Sequence, residues 1–173
     1  KLLAITISVN AARQSTRDES LIVEGISGAL KSQGINLRNC TIDEMVPVRN
    51  TKEVLSRAEA KKKHGSTNLL KSFDFYGTVH KSRQSLLPFE EIFGFAKICL
   101  GVGGHQDNVY HEARELVEWC RQYGSQSNLY ALMVDTDNFE KFEKLEKKEY
   151  GNIWICNHKT FQQKICQLMS KKN

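Results

Sequence analysis

Lys97 interrupts the apolar run Phe93-Gly94-Phe95-Ala96-Lys97-Ile98-Cys99-Leu100. A lysine in such a segment is costly to bury without an anionic neighbour, so its position calls for a carboxylate or a phosphate. Two carboxylates are placed to meet it. Asp74 stands between Phe73 and Phe75 in the preceding extended run, which strand pairing would bring alongside Lys97. Glu112 belongs to the segment after Gly103-Gly104, whose apolar positions Val109, Ala113, Leu116, Val117 and Cys120 form one helical stripe. At about 100° per residue, Glu112 falls roughly 85° from the centre of that stripe, on the boundary between buried and exposed faces. An Asp, a Glu and a Lys converging at a strand edge suit phosphodiester hydrolysis. The acids hold a hydrated Mg²⁺ that polarises the phosphate and lowers the pKa of a water, and the lysine orients or deprotonates the nucleophile and stabilises charge on phosphorus.

The elements that must carry these residues are those of a single α/β domain with a mixed sheet flanked by helices. A strand over Leu2 to Val9 leads to a helix capped by Ser15 or Thr16 and stopped at Gly34. A short strand over Ile35 to Ile42 precedes a polar helix from about Thr51 to Lys63. Extended runs at Leu69 to Val79 and Leu87 to Val102 read as neighbouring strands of one sheet. A helix from about Asp107 to Tyr123 follows, with Gly124 as its stop. The rest alternates: strand Leu129 to Val134, helix Phe139 to Lys148, strand Asn152 to Cys156, helix Lys159 to Met169. Phe139, Phe142 and Trp154 read as core, and the Lys and Glu residues from Glu140 to Glu149 as a solvated helix with i, i+4 pairs.

Composition bounds the possibilities. The chain has 173 residues, is 40% hydrophobic and carries a net charge of +5. No apolar run approaches the roughly 18 residues of a membrane span, and the first residues are too short and polar for a secretory signal. A first residue other than Met leaves trimming or a fragment open. The five cysteines are scattered without a C-x-x-C pair, which favours reduced, packed thiols and a cytoplasmic setting over disulfides or a zinc site. Between Arg49 and Arg83 nine basic residues face three acidic ones, while the remainder is almost neutral. A concentrated excess of this kind, including Lys61, Lys62 and Lys63, is the footprint of a phosphate-binding surface, although the lysine run alone also reads as a solvated helix face.

In Gly103-Gly104-His105-Gln106-Asp107-Asn108 the glycines allow close backbone approach to a ligand, and the helix start offers N–H groups to an anion. His105, Gln106 and Asn108 are candidates for contacts with base edges. The plainer reading is a strand-to-helix turn with Asp107 as N-cap. Glu91 shares strand parity with Lys97 and is an alternative metal ligand, but at about 3.3 Å per residue the two lie roughly 20 Å apart unless the strand bends at Gly94.

The succession of Asp74, Lys97, Gln106-Asp107-Asn108 and Glu112-Ala113-Arg114-Glu115-Leu116-Val117 resembles the PD-(D/E)xK nucleases. These carry an Asp at one strand and an acid-x-Lys at the next, followed by helix, strand and helix. Here the acid-x-Lys position reads Phe95-Ala96-Lys97. The resemblance is therefore to the branch of restriction endonucleases cutting CCGG- and CCNGG-type sites, in which the Glu comes from the helix after the Lys strand. That branch's arginine-rich base-reading motif is absent: Gly101-Val102-Gly103-Gly104-His105 stands there. The resemblance implies a restriction-endonuclease-like fold, Asp74 and Glu112 as metal ligands, Lys97 as catalytic lysine, Glu19 or Glu24 as an accessory acid, Mg²⁺ as cofactor, double-stranded DNA as substrate and a homodimer. Two other readings stay open: an α/β nucleotide or nucleoside hydrolase holding phosphate at Gly103-Gly104, and a catalytically silent DNA-binding module.

Overall fold

Alternation of large apolar side chains along Glu91–Cys99 makes this segment the centre of the sheet. Ile92 and Ala96 enter one hydrophobic cluster, whereas Phe93, Phe95 and Cys99 enter another, so both faces of the strand are covered. The computed structural model describes residues 20–31, 34–41, 43–80, 87–99, 104–147 and 149–170. The expected Leu2 to Val9 strand, the caps Ser15 and Thr16, Glu19, Gly103 and the Lys81 to Ser85 connection lie outside these residues.

Helix α1 occupies residues 20–31. There follow β1 (Ile35–Asn39), the short pair β2 (Val46–Pro47) and β3 (Val54–Leu55), α2 (Arg57–His64), β4 (Phe75–Val79), β5 (Glu91–Cys99) and α3 (Gly104–Tyr123). The chain continues through β6 (Asn128–Thr136), α4 (Phe139–Glu143), β7 (Ile153–Cys156) and α5 (His158–Ser170). The five-stranded sheet has the order β1-β4-β5-β6-β7. β4 runs antiparallel to both its neighbours, β1 and β5, and β5, β6 and β7 are parallel, so the mixed α/β sheet expected from the alternation is present. Val23, Ile26 and Leu30 of α1 and Phe161 and Ile165 of α5 cover one face. Val109, Ala113, Leu116, Val117 and Cys120 of α3, with Phe142 of α4, cover the other. Trp154 and Phe142 are core, as expected.

Several boundaries differ from the sequence reading. The polar helix begins at Arg57 rather than Thr51, because Ser56 caps it and Glu59 returns a bond to the Ser56 backbone, a capping box in Ser56-x-x-Glu59. Val54 and Leu55 instead pair with Val46 and Pro47. Helix α3 starts at Gly104, which puts Asp107 inside its first turn, ion-paired with Lys141, rather than at the cap. Helix α4 stops after Glu143, short of Lys148, and Glu146, beyond its end, pairs with Lys164 of α5 instead of a residue on its own segment.

The β2–β3 pair is stapled to α3 by Trp119, which is almost fully buried and whose indole N–H donates to the carbonyls of Val48 and Thr51 at 3.0 and 2.9 Å. Trp119→Phe keeps an aromatic ring and takes the indole donor from both carbonyls, of which Val48 retains its bonds from the Thr51 amide and hydroxyl, and should lower unfolding free energy by about 1–2 kcal/mol in urea denaturation. The thiols offer a second check. Cys99, Cys120 and Cys156 are buried, and burial pushes the Cys120 and Cys156 thiols up, Cys156 to about 12. Burial also raises Cys40, to about 11. In a thiol-alkylation time course at neutral pH, Cys99, Cys120 and Cys156 should react only after unfolding.

Candidate functional site

Asp74 and Lys97 come together where β4 parts from β5. The β4–β5 register runs from Thr78 opposite Glu91 to Phe75 opposite Gly94, and the Asp74 amide donates to the Gly94 carbonyl at 2.7 Å. Before that point the chain pairs elsewhere: the Phe73 and Leu70 amides donate to the Met45 and Pro47 carbonyls. The far half of β5 is therefore not followed by β4. Asp74 bridges the fork with its side chain, Oδ2 accepting from the Ala96 amide at 3.0 Å while Oδ1 lies 3.8 Å from Lys97 Nζ. Asp74 shares the face of Tyr76, which pairs with Phe93, and Lys97 shares the face of Phe93 and Phe95. Both therefore face α3. Their side chains retain 25% and 17% exposure, enough for a ligand to reach them yet low enough to limit solvent screening.

Helix α3 brings Glu112 towards this pair. It returns antiparallel to β5, and Gln106 of its first turn, itself buried, donates to the Cys99 carbonyl at 3.4 Å. Six residues further on, at about 1.5 Å each, Glu112 lies about 9 Å along the helix from Gln106, in the direction opposite to the run of β5. Its flank is fixed by neighbours. Glu115 pairs with Arg49 at 2.9 Å and Trp119 bonds Val48 and Thr51, and both project within about 60° of Glu112. Asp107 and Tyr110, on the opposite flank, meet Lys141 and Phe142. Glu112 consequently lies on the β4 side of the helix, half-buried, and its carboxylate has no hydrogen bond or ion pair among the described residues.

The other candidates are dispersed. Glu91 sits at the opposite end of an uninterrupted β5, where its carboxylate accepts from Tyr76 Oη and, at 3.1 Å, from Asn128 Nδ2. Glu24 is exposed on α1, which packs on the sheet face away from α3. Asn108 is exposed on the first turns of α3, and Gly104 begins that helix, while the His105 side chain lies outside the described residues. Lys61, Lys62 and Lys63 are exposed on α2, and Lys63 pairs with Glu53.

Two features of this region had no marker in the sequence reading. Ser72, two residues before Asp74, is fully buried, and its Oγ has no hydrogen-bond partner among the described residues. At the carboxyl ends of the parallel strands, His158 Nδ1 lies 2.9 Å from Asp135 Oδ1, a pair separated by 23 residues that only the β6–α5 packing unites. No group of three or more His, Cys, Asp or Glu side chains able to hold a metal occurs among the described residues. Asp74 and Glu112 would be the hard-oxygen donors for a Mg²⁺ ion, which keeps several waters and takes one or two carboxylates. No family model, curated protein or solved structure matches the chain. Among the described residues no helix is long and apolar enough to cross a membrane.

Proposed function

We propose that this protein is a Mg²⁺-dependent endonuclease of the restriction type, hydrolysing phosphodiester bonds in double-stranded DNA as a homodimer. The observation that carries this reading is the convergence of the Asp74 carboxylate and the Lys97 ammonium, 3.8 Å apart on the α3 face of a forked strand pair. Glu112, half-buried on the Trp119 flank of α3 and with no hydrogen bond or ion pair among the described residues, adds a second carboxylate that supports the reading. The order of a strand with Asp, an antiparallel strand with Lys, then helix, parallel strand and helix is also the succession that the PD-(D/E)xK resemblance implies.

In this reading Asp74 and Glu112 hold Mg²⁺, which when bound supplies Lewis-acid polarisation of the phosphate and a water of lowered pKa. The Ala96 amide fixes the Asp74 carboxylate in orientation, leaving Oδ1 towards the reacting centre. Lys97, charged beside Asp74, holds the attacking water or a non-bridging oxygen and stabilises charge accumulating on phosphorus. The exposed Lys61 and Lys62 and the basic excess around them contribute phosphate contacts that orient the duplex. Conversion of supercoiled plasmid to nicked and linear forms in Mg²⁺, absent in EDTA and in the Lys97 and Asp74 variants, tests the assignment. Cleavage that survives both substitutions refutes it.

A further inference from the structure

At the other end of β5 from Lys97, on the same sheet face, a cavity of about 420 Å³ opens between α3 and the β2–β3 pair. This volume lies within the roughly 300–1,000 Å³ typical of small-molecule sites. Its walls are rings: Phe93 and Tyr130, stacked with centroids 5.7 Å apart, and Trp119 and Tyr123 of α3. One carboxylate, Glu91, lines it, and one amide, Asn128. Lys52, exposed at the mouth, makes no ion pair among the described residues.

The carboxylate is held in place by two donors. Tyr76 Oη donates to one oxygen and Asn128 Nδ2 to the other, which leaves each oxygen a further lone pair. Tyr76 stays a donor, because burial, and next its bond to Glu91, push its phenol up to about 12. A fixed carboxylate between aromatic walls selects a flat group with two parallel N–H donors. Two chemistries offer that fork: a guanidinium, and the N1–H and N2–H edge of guanine. The Lys52 ammonium at the mouth repels the first and favours a base carrying phosphate.

We propose that this cavity binds one guanine base with its phosphate: Glu91 accepts from the base edge, the rings flank its faces, and Lys52 contacts the phosphate. The base comes either as a free nucleotide or extruded from a nucleic-acid strand, both presenting the same chemistry. The residues are distinct from Asp74, Lys97 and Glu112, and the readout is binding without Mg²⁺. A failure of cleavage therefore leaves the proposal standing, and the reverse also holds.

Calorimetric titration of the full chain with guanosine, adenosine and cytidine monophosphates is expected to show saturable binding of the guanosine nucleotide, at least about tenfold tighter than the others. Glu91→Gln, nearly isosteric and still able to accept from Tyr76, should lose that preference. Lys52→Ala, at an exposed position, should weaken the nucleotide and leave the nucleoside guanosine unchanged. A duplex oligonucleotide with guanine opposite an abasic site identifies the source. Tighter binding than the free nucleotide, reduced by Glu91→Gln, assigns an extruded base; an effect of Glu91→Gln on the free nucleotide alone assigns a nucleotide site. Equal affinity for all three nucleotides, indifference of both ligands to Glu91→Gln, or methylguanidinium binding in preference to the guanosine nucleotide overturns the proposal.

Discussion

Replacing Lys97 by Ala is expected to reduce Mg²⁺-dependent plasmid cleavage by about 100- to 1,000-fold, the range for loss of one group aimed at charge developing in a transition state. Asp74→Asn should be at least as damaging, since it removes the charge facing Lys97 and, in the proposed mechanism, an anionic metal ligand. Lys97→Met, which keeps the side chain's apolar stem against the strand, separates chemistry from folding. Its melting temperature should stay near that of the parent, because an ion pair 3.8 Å long and still partly exposed contributes little, on the order of 1 kcal/mol or less. Its cleavage should be as low as that of Lys97→Ala. Full cleavage by Lys97→Met would remove the lysine from the chemistry whatever the fold. Glu112→Gln tests the third member: if that carboxylate shares the ion, the variant should require more Mg²⁺ for half-maximal cleavage.

Gly94→Ala should be the most damaging single-methyl change in the described sheet. A Cβ at position 94 would lie 1.8 to 2.2 Å from three ring atoms of Phe75, far inside van der Waals contact. Phe75 is the direct register partner of Gly94 and is fully buried, its ring packed edge-on to Phe161 at 6.2 Å. The ring lies across the glycine, an aromatic covering a bare position on the neighbouring strand. Since neither ring nor backbone has room to yield, overpacking should cost about 3 kcal/mol, read as a shift of the urea midpoint. The double variant Gly94→Ala with Phe75→Leu should recover part of that loss, as coupled neighbours do. Purely additive destabilisation would show that the contact is not the cause. Cleavage should fall together with stability, because the Gly94 carbonyl receives the Asp74 amide and sets where β4 forks from β5.

This dependence of the site on one glycine–aromatic contact marks the division between what was legible in the chain and what was not. The alternation of strands and helices from Glu91 onward was readable, because β5, β6 and β7 are buried on both faces and α3 carries an unambiguous apolar stripe. Lys97 stood out for the same reason, as the one charge in the stretch of this strand from Ile92 to Cys99. Element ends were less legible where local hydrogen bonding competes with propensity: Ser56 and Glu59 start α2 six residues later than its polar composition implied. The Tyr76–Glu91–Asn128 group was invisible, since it joins three strands whose register appears in no local pattern.

By itself the sequence determined the residue types able to handle a phosphodiester, the α/β alternation, and the strand and helix on which Lys97 and Glu112 ride. Only the tertiary structure decided which of them share a space. Pairing Phe75 with Gly94 and turning the preceding chain towards Met45 put the Asp74 carboxylate beside Lys97, and the Trp119 staple fixed the rotation of α3, with Glu112 on the same flank as Trp119. Spacing along a chain specifies faces and periods, whereas meeting at a site depends on register and helix rotation, and these are set by packing between segments far apart in the sequence.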